Sequence, residues 1–441
     1  MQIIASAGSG KTEVVAQRVA DLFCDGELPE SVVAFTFTER AAQSLKSRIE
    51  QRVEARLGRT FVDRLNGCFI GTIHSYCYQL LQRHVARYET FDVLDDNRLV
   101  AFLTREEQRL QLKELDGKLF TSIGQFIRNI DVLENELIVH HLVKSPFREI
   151  VERFNDRLNL YRFLTYGKLI ALAVAELKKP GMLAAVRQTL KHLIVDEYQD
   201  VNPAQEALIA ALGQPPVQLC VVGDDDQSIY QWRGSDVANI VDFAARYQDV
   251  SQFKLLINRR SRPQIIDAAN DFAQTIRGRL PKKMQPHRPP ADPEIITWRA
   301  ATEAEEAEVI AKTILRLGEQ GYRFRDVAVL VRSSTSYSRL LEAFDKHKVP
   351  VQPGGRTGLF KEADAQTFGR TFAYLAGSPW RTEQYGSFGQ SVSLQALILE
   401  YTNRFKLDIG RQGRVRKRLE RWKRKCSHRA ARQILLAAIT I

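Results

Sequence analysis

Nowhere in this sequence of 441 residues does an apolar run approach the roughly 18 needed to cross a bilayer. Cysteine is scarce. The five present (Cys24, Cys68, Cys77, Cys220, Cys426) are odd in number, scattered, and never spaced as C-x-x-C. That excludes a disulfide-stapled scaffold and fits a reducing, cytoplasmic setting. Cys68, Cys77 and Cys220 have apolar neighbours and read as buried thiols acting as small hydrophobes. The opening Met-Gln-Ile-Ile-Ala lacks the basic stretch and long apolar core of a secretory signal, so nothing directs export. What remains is a globular balance of 44% hydrophobic and 26% charged residues, in a chain long enough for two to four domains. Lys and Arg outnumber Asp and Glu by 64 to 52, a net charge of +12. That favours a polyanionic partner: nucleic acid first, with the ribosome or an anionic membrane as the less specific options.

Hydrophobic periodicity gives the organisation. A short strand (Gln2 to Ala5), a Gly-rich turn, a helix from Lys11 to about Phe23 and a strand from Ser31 to Thr36 make a βαβ unit. Leu193–Asp196 and Gln218–Gly223 are apolar runs between polar turns, as buried parallel strands should be. Between Tyr78 and about Lys179 helical periodicity replaces strand signals, notably over Asn97–Leu115 and Phe147–Leu158, which predicts a helical insertion. A strand at Gln252–Ile257 opens a second α/β segment. Leu280–Pro293, with five prolines, predicts an extended surface connection. Glu294–Trp298, Glu303–Glu319 and Asp326–Val331 predict strand, helix and strand. From Ser378 the pattern weakens, Arg411 to Arg432 is strongly basic, and the last eight residues are almost wholly apolar. The division expected is a first α/β domain over 1–77 and 180–258, a helical insertion over 78–179, a second α/β domain over 259–377 and a further, helical segment begun over 378–441.

The chemistry begins at Ala5-Ser6-Ala7-Gly8-Ser9-Gly10-Lys11-Thr12, between a strand and a helix. Glycines there let backbone N–H groups close around phosphate oxygens. The Lys11 ammonium reaches the terminal phosphates, and the Thr12 hydroxyl suits Mg²⁺. Ala5 departs from the general pattern, which has Gly, and a glycine turn with an exposed lysine is the alternative. A nucleotide site also needs a carboxylate for the metal and one to orient water, at a strand end. Leu193-Ile194-Val195-Asp196-Glu197 supplies both, with Asp196 on the metal through water and Glu197 as base. An acidic pair at a strand end is also a common solvated turn.

Several blocks resemble the UvrD/Rep family of superfamily 1 DNA helicases. They are the phosphate loop, Thr36-Phe37-Thr38-Glu39-Arg40-Ala41-Ala42, Gly71-Thr72-Ile73-His74-Ser75, Asp196-Glu197-Tyr198-Gln199-Asp200, Val222 through Gly234, and Asn258-Arg259-Arg260-Ser261. They occur in the family's order from residue 1 to about 270, with weaker similarity to about 377. The resemblance implies two RecA-like motor domains of P-loop NTPase fold, parallel sheets with helical insertions, and ATP and Mg²⁺ as cofactors. It also implies 3'-to-5' movement on single-stranded DNA and at duplex junctions. Gln227 would sense the γ-phosphate, since an amide can donate to phosphate and accept from water. Arg260 would be the arginine that spans phosphate oxygens as they gain charge; a surface ion pair is its structural alternative. Arg259 stands where the family commonly stacks an aromatic on adenine. Arg18 would lie near the nucleotide, though a solvated helix face explains it too. Phe37, Tyr230 and Trp232 would stack on bases, contributing roughly 1–3 kcal/mol each; core aromatics are the alternative. Thr38, Thr72, His74 and Arg233 would bind phosphate or join the coupling network, with a structural histidine equally open at His74.

Two family elements are missing. Only four residues precede Ala5, so the upstream adenine-recognising glutamine is absent. The later motifs, with a second phosphate arginine, do not occur before Ile441; Thr402-Asn403-Arg404-Phe405 is not such a run. The sequence therefore reads as truncated at both ends. Beside an ATP-dependent helicase stand two other readings, the motor part of a helicase-nuclease and a non-catalytic remnant that binds ATP and single-stranded DNA.

Overall fold

The structure is a computed structural model and describes residues 1–231, 234–333, 337–352, 363–377, 379–380 and 391–425. It divides into two compact units, 1–295 and 296–441.

Among the described residues the first unit holds ten strands. The first three are β1 (Gln2–Ala5), β2 (Val32–Thr36) and β3 (Phe69–Thr72), followed by the short β4 (Asp92–Val93) and β5 (Phe163–Leu164). Then come β6 (His192–Val195), β7 (Gln218–Gly223), β8 (Gln252–Leu255), β9 (Ile257–Asn258) and β10 (Gln285–Pro286). Six of them form one parallel sheet in the order β3-β2-β6-β7-β1-β8. Because side chains alternate across a strand, each strand feeds two cores. Val33, Phe35, Leu193, Val195, Leu219 and Val221 pack on one face against the helices Tyr166–Leu177 and Pro203–Leu212. Val32, Ala34, Ile194, Cys220 and Val222 pack on the other against the helices Lys11–Cys24 and Glu39–Leu57. Burial on both faces is why these strands read as continuous apolar runs. Cys68, Cys77 and Cys220 are buried among them, as expected.

Between β3 and β6 the chain leaves the sheet. Helices Asp96–Leu110, Leu119–Asn135 and Phe147–Tyr161 close on a core of their own around Phe102, Phe126 and Phe154. The helix Leu119–Asn135 ties back to the sheet domain. Buried Glu134 accepts from Thr165 Oγ1 at 2.8 Å, and Asn135 accepts from Asn202 Nδ2 at 3.1 Å.

In the second unit, helices Glu303–Glu319 and Tyr337–Lys346 share one small core. Helices Ala363–Ala376, Leu394–Phe405 and Ile409–Lys425 share another. The helix expected at Glu303–Glu319 forms with those bounds. The strands expected at Glu294–Trp298 and Asp326–Val331 do not form; neither run belongs to a ladder among the described residues. A parallel strand needs hydrogen-bonding neighbours and cover on its faces. Here Ile296 is 74% and Leu330 94% exposed, so apolar composition alone did not create a sheet. The strand expected to open a second α/β segment instead joins the first sheet, β8 pairing in parallel with β1, and beyond it the parallel pairing observed is the two-residue match of β9 with β10. The fold class is α/β, built on a parallel central sheet. No helix among the described residues is long and apolar enough to cross a membrane.

Candidate functional site

Most of the expected site residues described in the first unit follow the carboxyl ends of β1, β2, β3, β6 and β7, where an open parallel sheet places its ligand crevice. The phosphate loop leaves β1 after Ala5, with Gly8 at φ 67° and Gly10 at φ 97°. Gly10 caps the helix Lys11–Cys24 without a side-chain acceptor, which leaves first-turn N–H groups directed at the loop. The Ser6 and Ser9 hydroxyls are buried without a partner. A buried orphan hydroxyl costs about 1–3 kcal/mol unless a ligand satisfies it, so the loop suits a polar anion. Ala7 completes the loop, and Ala5, fully buried, anchors it to the sheet.

Lys11 Nζ lies 3.5 Å from Glu197 Oε2, and Thr12 Oγ1 reaches Asp196 Oδ2 at 3.5 Å. Asp196 Oδ1 accepts from the Glu197 N–H at 2.9 Å. Glu197 has a left-handed backbone, φ 54°, uncommon for a non-glycine residue. Burial, and then the Glu197 charge, pushes Asp196 up to about 7; the same two causes push Asp200 up to about 6. Two carboxyls that resist ionising beside a third mark a place short of positive charge. No group of three metal-ligating side chains occurs among the described residues. The Thr12–Asp196 pair fits Mg²⁺, which takes one or two protein ligands and completes its shell with phosphate oxygens and water.

Gln199 extends this arrangement. Its Nε2 donates to Glu197 Oε2 at 2.9 Å, and its Oε1 accepts from the Asp224 N–H at 2.9 Å. Gln227 in turn donates through Nε2 to Asp224 Oδ2. From the far side comes the turn after β9. The Asn258 carboxamide accepts from the N–H groups of Arg260 and Ser261 at 2.9 and 2.8 Å. The Arg259 N–H donates to the Gly8 carbonyl at 3.0 Å. Arg260 is thereby carried to the edge of the phosphate loop, and its side chain is exposed. Arg259 lies near His287, at 3.4 Å. Arg18 is not brought to the loop. Seven residues beyond Lys11 it is about 10 Å along the helix axis, where it acts on the Met1 amino group and Cys220.

Phe37 and Tyr230 meet in a stacked pair, ring centroids 5.1 Å apart and planes at 29°. Trp232 and Arg233 lie outside the described residues. Thr38 and Thr72 are helix caps: Thr38 Oγ1 accepts from Ala41 N–H, and Thr72 Oγ1 accepts from Ser75 N–H while donating to Glu39 at 2.8 Å. His74 packs edge-on against Tyr166, and burial lowers it to about 4, so its ring is neutral at physiological pH. Sequence reasoning missed Gln199, Asn258 and a lysine, Lys282, inside the segment read as a surface connection. The Asp224-Asp225-Asp226 run was the available signal, since three adjacent carboxylates call for cations.

The family model described as the UvrD/REP helicase N-terminal domain matches residues 1–248. The chain belongs to this UvrD/Rep family. A model of the UvrD-like helicase C-terminal domain matches residues 253–376. Among similar proteins, the ATP-dependent DNA helicase PcrA of Staphylococcus epidermidis (strain ATCC 12228) is 31% identical over 363 residues, covering 79% of this chain and 48% of the relative. The PcrA of Staphylococcus aureus (strain NCTC 8325) is 29% identical over 360 residues, with the same coverage. The chain therefore spans about half the length of the curated UvrD/Rep relatives it matches.

Proposed function

We propose that this chain carries the ATP site and the single-strand stacking surface of an ATP-dependent DNA helicase or translocase, one that moves 3'-to-5' and opens duplex at junctions. The observation that supports this best is the shared sheet edge. Phosphate-loop chemistry at Lys11, Thr12, Asp196 and Glu197 and the Phe37–Tyr230 pair follow strands of one sheet. In this reading residues 1–77 and 180–258 form the first motor domain, 78–179 its insertion, 259–377 a second motor domain and 378–441 the start of an accessory domain. The scattered cysteines suit cytoplasmic work.

In the reaction, Lys11 and the loop N–H groups hold the terminal phosphates. Glu197, kept in place by Gln199, accepts the proton of the attacking water. Gln227 orients toward the γ-phosphate, and Arg260 compensates charge that grows on it. Mg²⁺, when bound at Thr12 and Asp196, supplies charge neutralisation across the phosphates. Closed around nucleotide, these groups alter the loop that bears Tyr230, and base stacking changes with them.

The test is phosphate release with and without single-stranded DNA, in the chain and its Glu197→Gln variant. DNA-stimulated release that the variant abolishes, with nucleotide binding kept, is expected. Nucleotide binding without any turnover would favour the non-catalytic reading. Partial duplexes with a 3' or a 5' single-stranded tail then read direction; unwinding from the 5' tail alone would refute the polarity.

A further inference from the structure

Lys282 sits in a segment whose composition predicts solvent, yet its side chain is 2% exposed and it faces three carboxylates. Its ammonium lies 3.2 Å from Asp224 and 2.9 Å from Asp226, and it also pairs with Asp225. Arg279 adds a two-pronged contact to Asp226, Nε at 2.8 Å and Nη2 at 2.7 Å, and the Leu280 N–H donates to Asp225 at 2.7 Å. The Asp224 and Asp225 side chains are as buried as the lysine. Burial alone would lower Lys282, but the bond to Asp225 and the charge of Asp224 outweigh it and hold the ammonium protonated. A buried cation so surrounded fixes the backbone that carries its partners.

That backbone matters because of what it holds. Asp224 accepts from Gln227 with one carboxylate oxygen and from Lys282 with the other, while its N–H is bound by Gln199, which also holds Glu197. An unbroken series of contacts thus runs from Lys11 through Glu197, Gln199 and Asp224 to Lys282.

We propose that Lys282, assisted by Arg279, is a positioning residue for the γ-phosphate amide of Gln227, so that the segment after the helix Pro263–Ala273 decides whether the site distinguishes triphosphate from diphosphate. This rests on the nucleotide site proposed above. Lys282 touches no phosphate; it acts through Asp224.

Lys282→Met leaves buried carboxylates uncompensated and endangers folding, so it is paired with Lys282→Met/Asp225→Asn, which keeps the cluster's net charge. Affinities for Mg²⁺-AMP-PNP and Mg²⁺-ADP are measured by calorimetry in the parent, both variants and Gln227→Ala. The parent should prefer the triphosphate analogue. The double variant should lose that preference at least 5-fold, to the level of Gln227→Ala, with ADP affinity within 2-fold of the parent, and Lys282→Arg should recover most of it. A double variant with the parent's preference, or one that loses both affinities together, overturns the proposal, as does a Gln227→Ala variant that keeps the preference. A parent that binds neither nucleotide sinks the nucleotide-site reading itself, and this inference with it.

Discussion

Gly8→Ala is the most informative single change in the phosphate loop, because two physical effects at Gly8 and Gly10 rank the glycines in opposite order. Both have positive φ, where an L side chain costs about 1–2 kcal/mol. The left-handed well lies near φ 57°. Gly8 at 67° is therefore the milder site and Gly10 at 97° the harsher, if backbone strain alone decides. Space reverses this. A Cβ at Gly10 meets nothing closer than Glu13 Cβ at 3.7 Å, whereas one at Gly8 would stand 2.7 Å from Asn258 Oδ1 and 2.9 Å from Arg260 Cβ. The turn bearing Arg260 must retreat by several tenths of an ångström, and the Arg259 N–H to Gly8 carbonyl bond is lost, about 1 kcal/mol more. The expected destabilisation is about 2–3 kcal/mol. At roughly 2 °C per kcal/mol for a unit of this size, Tm falls by about 4–6 °C, and Gly10→Ala should fall by less. Displacing Arg260 should also lower turnover by up to roughly 10-fold, since a full ångström of misplacement costs about 100-fold. Differential scanning fluorimetry on both variants reads the ranking. Equal Tm losses, or a larger loss at Gly10, would refute the packing of the arginine turn on the phosphate loop.

Lys11→Ala should abolish binding of Mg²⁺-nucleotide, because the phosphate charge is left unbalanced in a preformed anion site; parental affinity by calorimetry would sink the phosphate-loop reading. Phe37→Ala should weaken single-stranded DNA by roughly 1–3 kcal/mol at every salt concentration without changing the salt slope, since it removes stacking and no phosphate contact. Unchanged affinity across the salt series would show that Phe37 takes no part in stacking. Glu134 gives a pH signature. Burial pushes its carboxyl from 4.5 up to about 7, so the folded chain retains a proton that the unfolded chain releases, and stability falls as pH rises across that window. Glu134→Gln should match the parent near pH 4.5 and exceed it at pH 8 by up to about 3 kcal/mol; parallel Tm profiles for the two proteins would refute this.

The strands Gln2–Ala5 and Gln218–Gly223 and the helix Glu303–Glu319 were legible to the residue, because each carries its own pattern and its own polar boundaries. The phosphate loop and the Asp196–Glu197 pair were legible for the same local reason. Glu294–Trp298 has as good a strand composition as β1 and forms none, since pairing depends on neighbours that a local run does not encode. Lys282 reads as solvent until three aspartates more than fifty residues away are seen around it. Thr38 and Thr72 could have been read as caps because each is a threonine standing where a strand gives way to a helical pattern. Thr165 and Asn202, which cap in the same way, show how common that use of a hydroxyl or amide is.

β1 has two neighbours, β7 and β8, and the nearer in sequence pairs with it in the register Gln2 to Val221, 219 residues on. During synthesis at about 5–20 residues per second, the apolar Ile3 and Ile4 therefore wait about 10–40 s for any strand to cover them. The helical insertion, whose contacts are local, can fold in that interval; the phosphate loop cannot, because the strand that aims it has nothing to lie against. Until β7 is made, the ribosome-bound chain exposes a bare apolar strand edge, a natural target for chaperones. The phosphate loop thus takes its place only once β7 and β8 have left the exit tunnel, long after β1 itself has emerged.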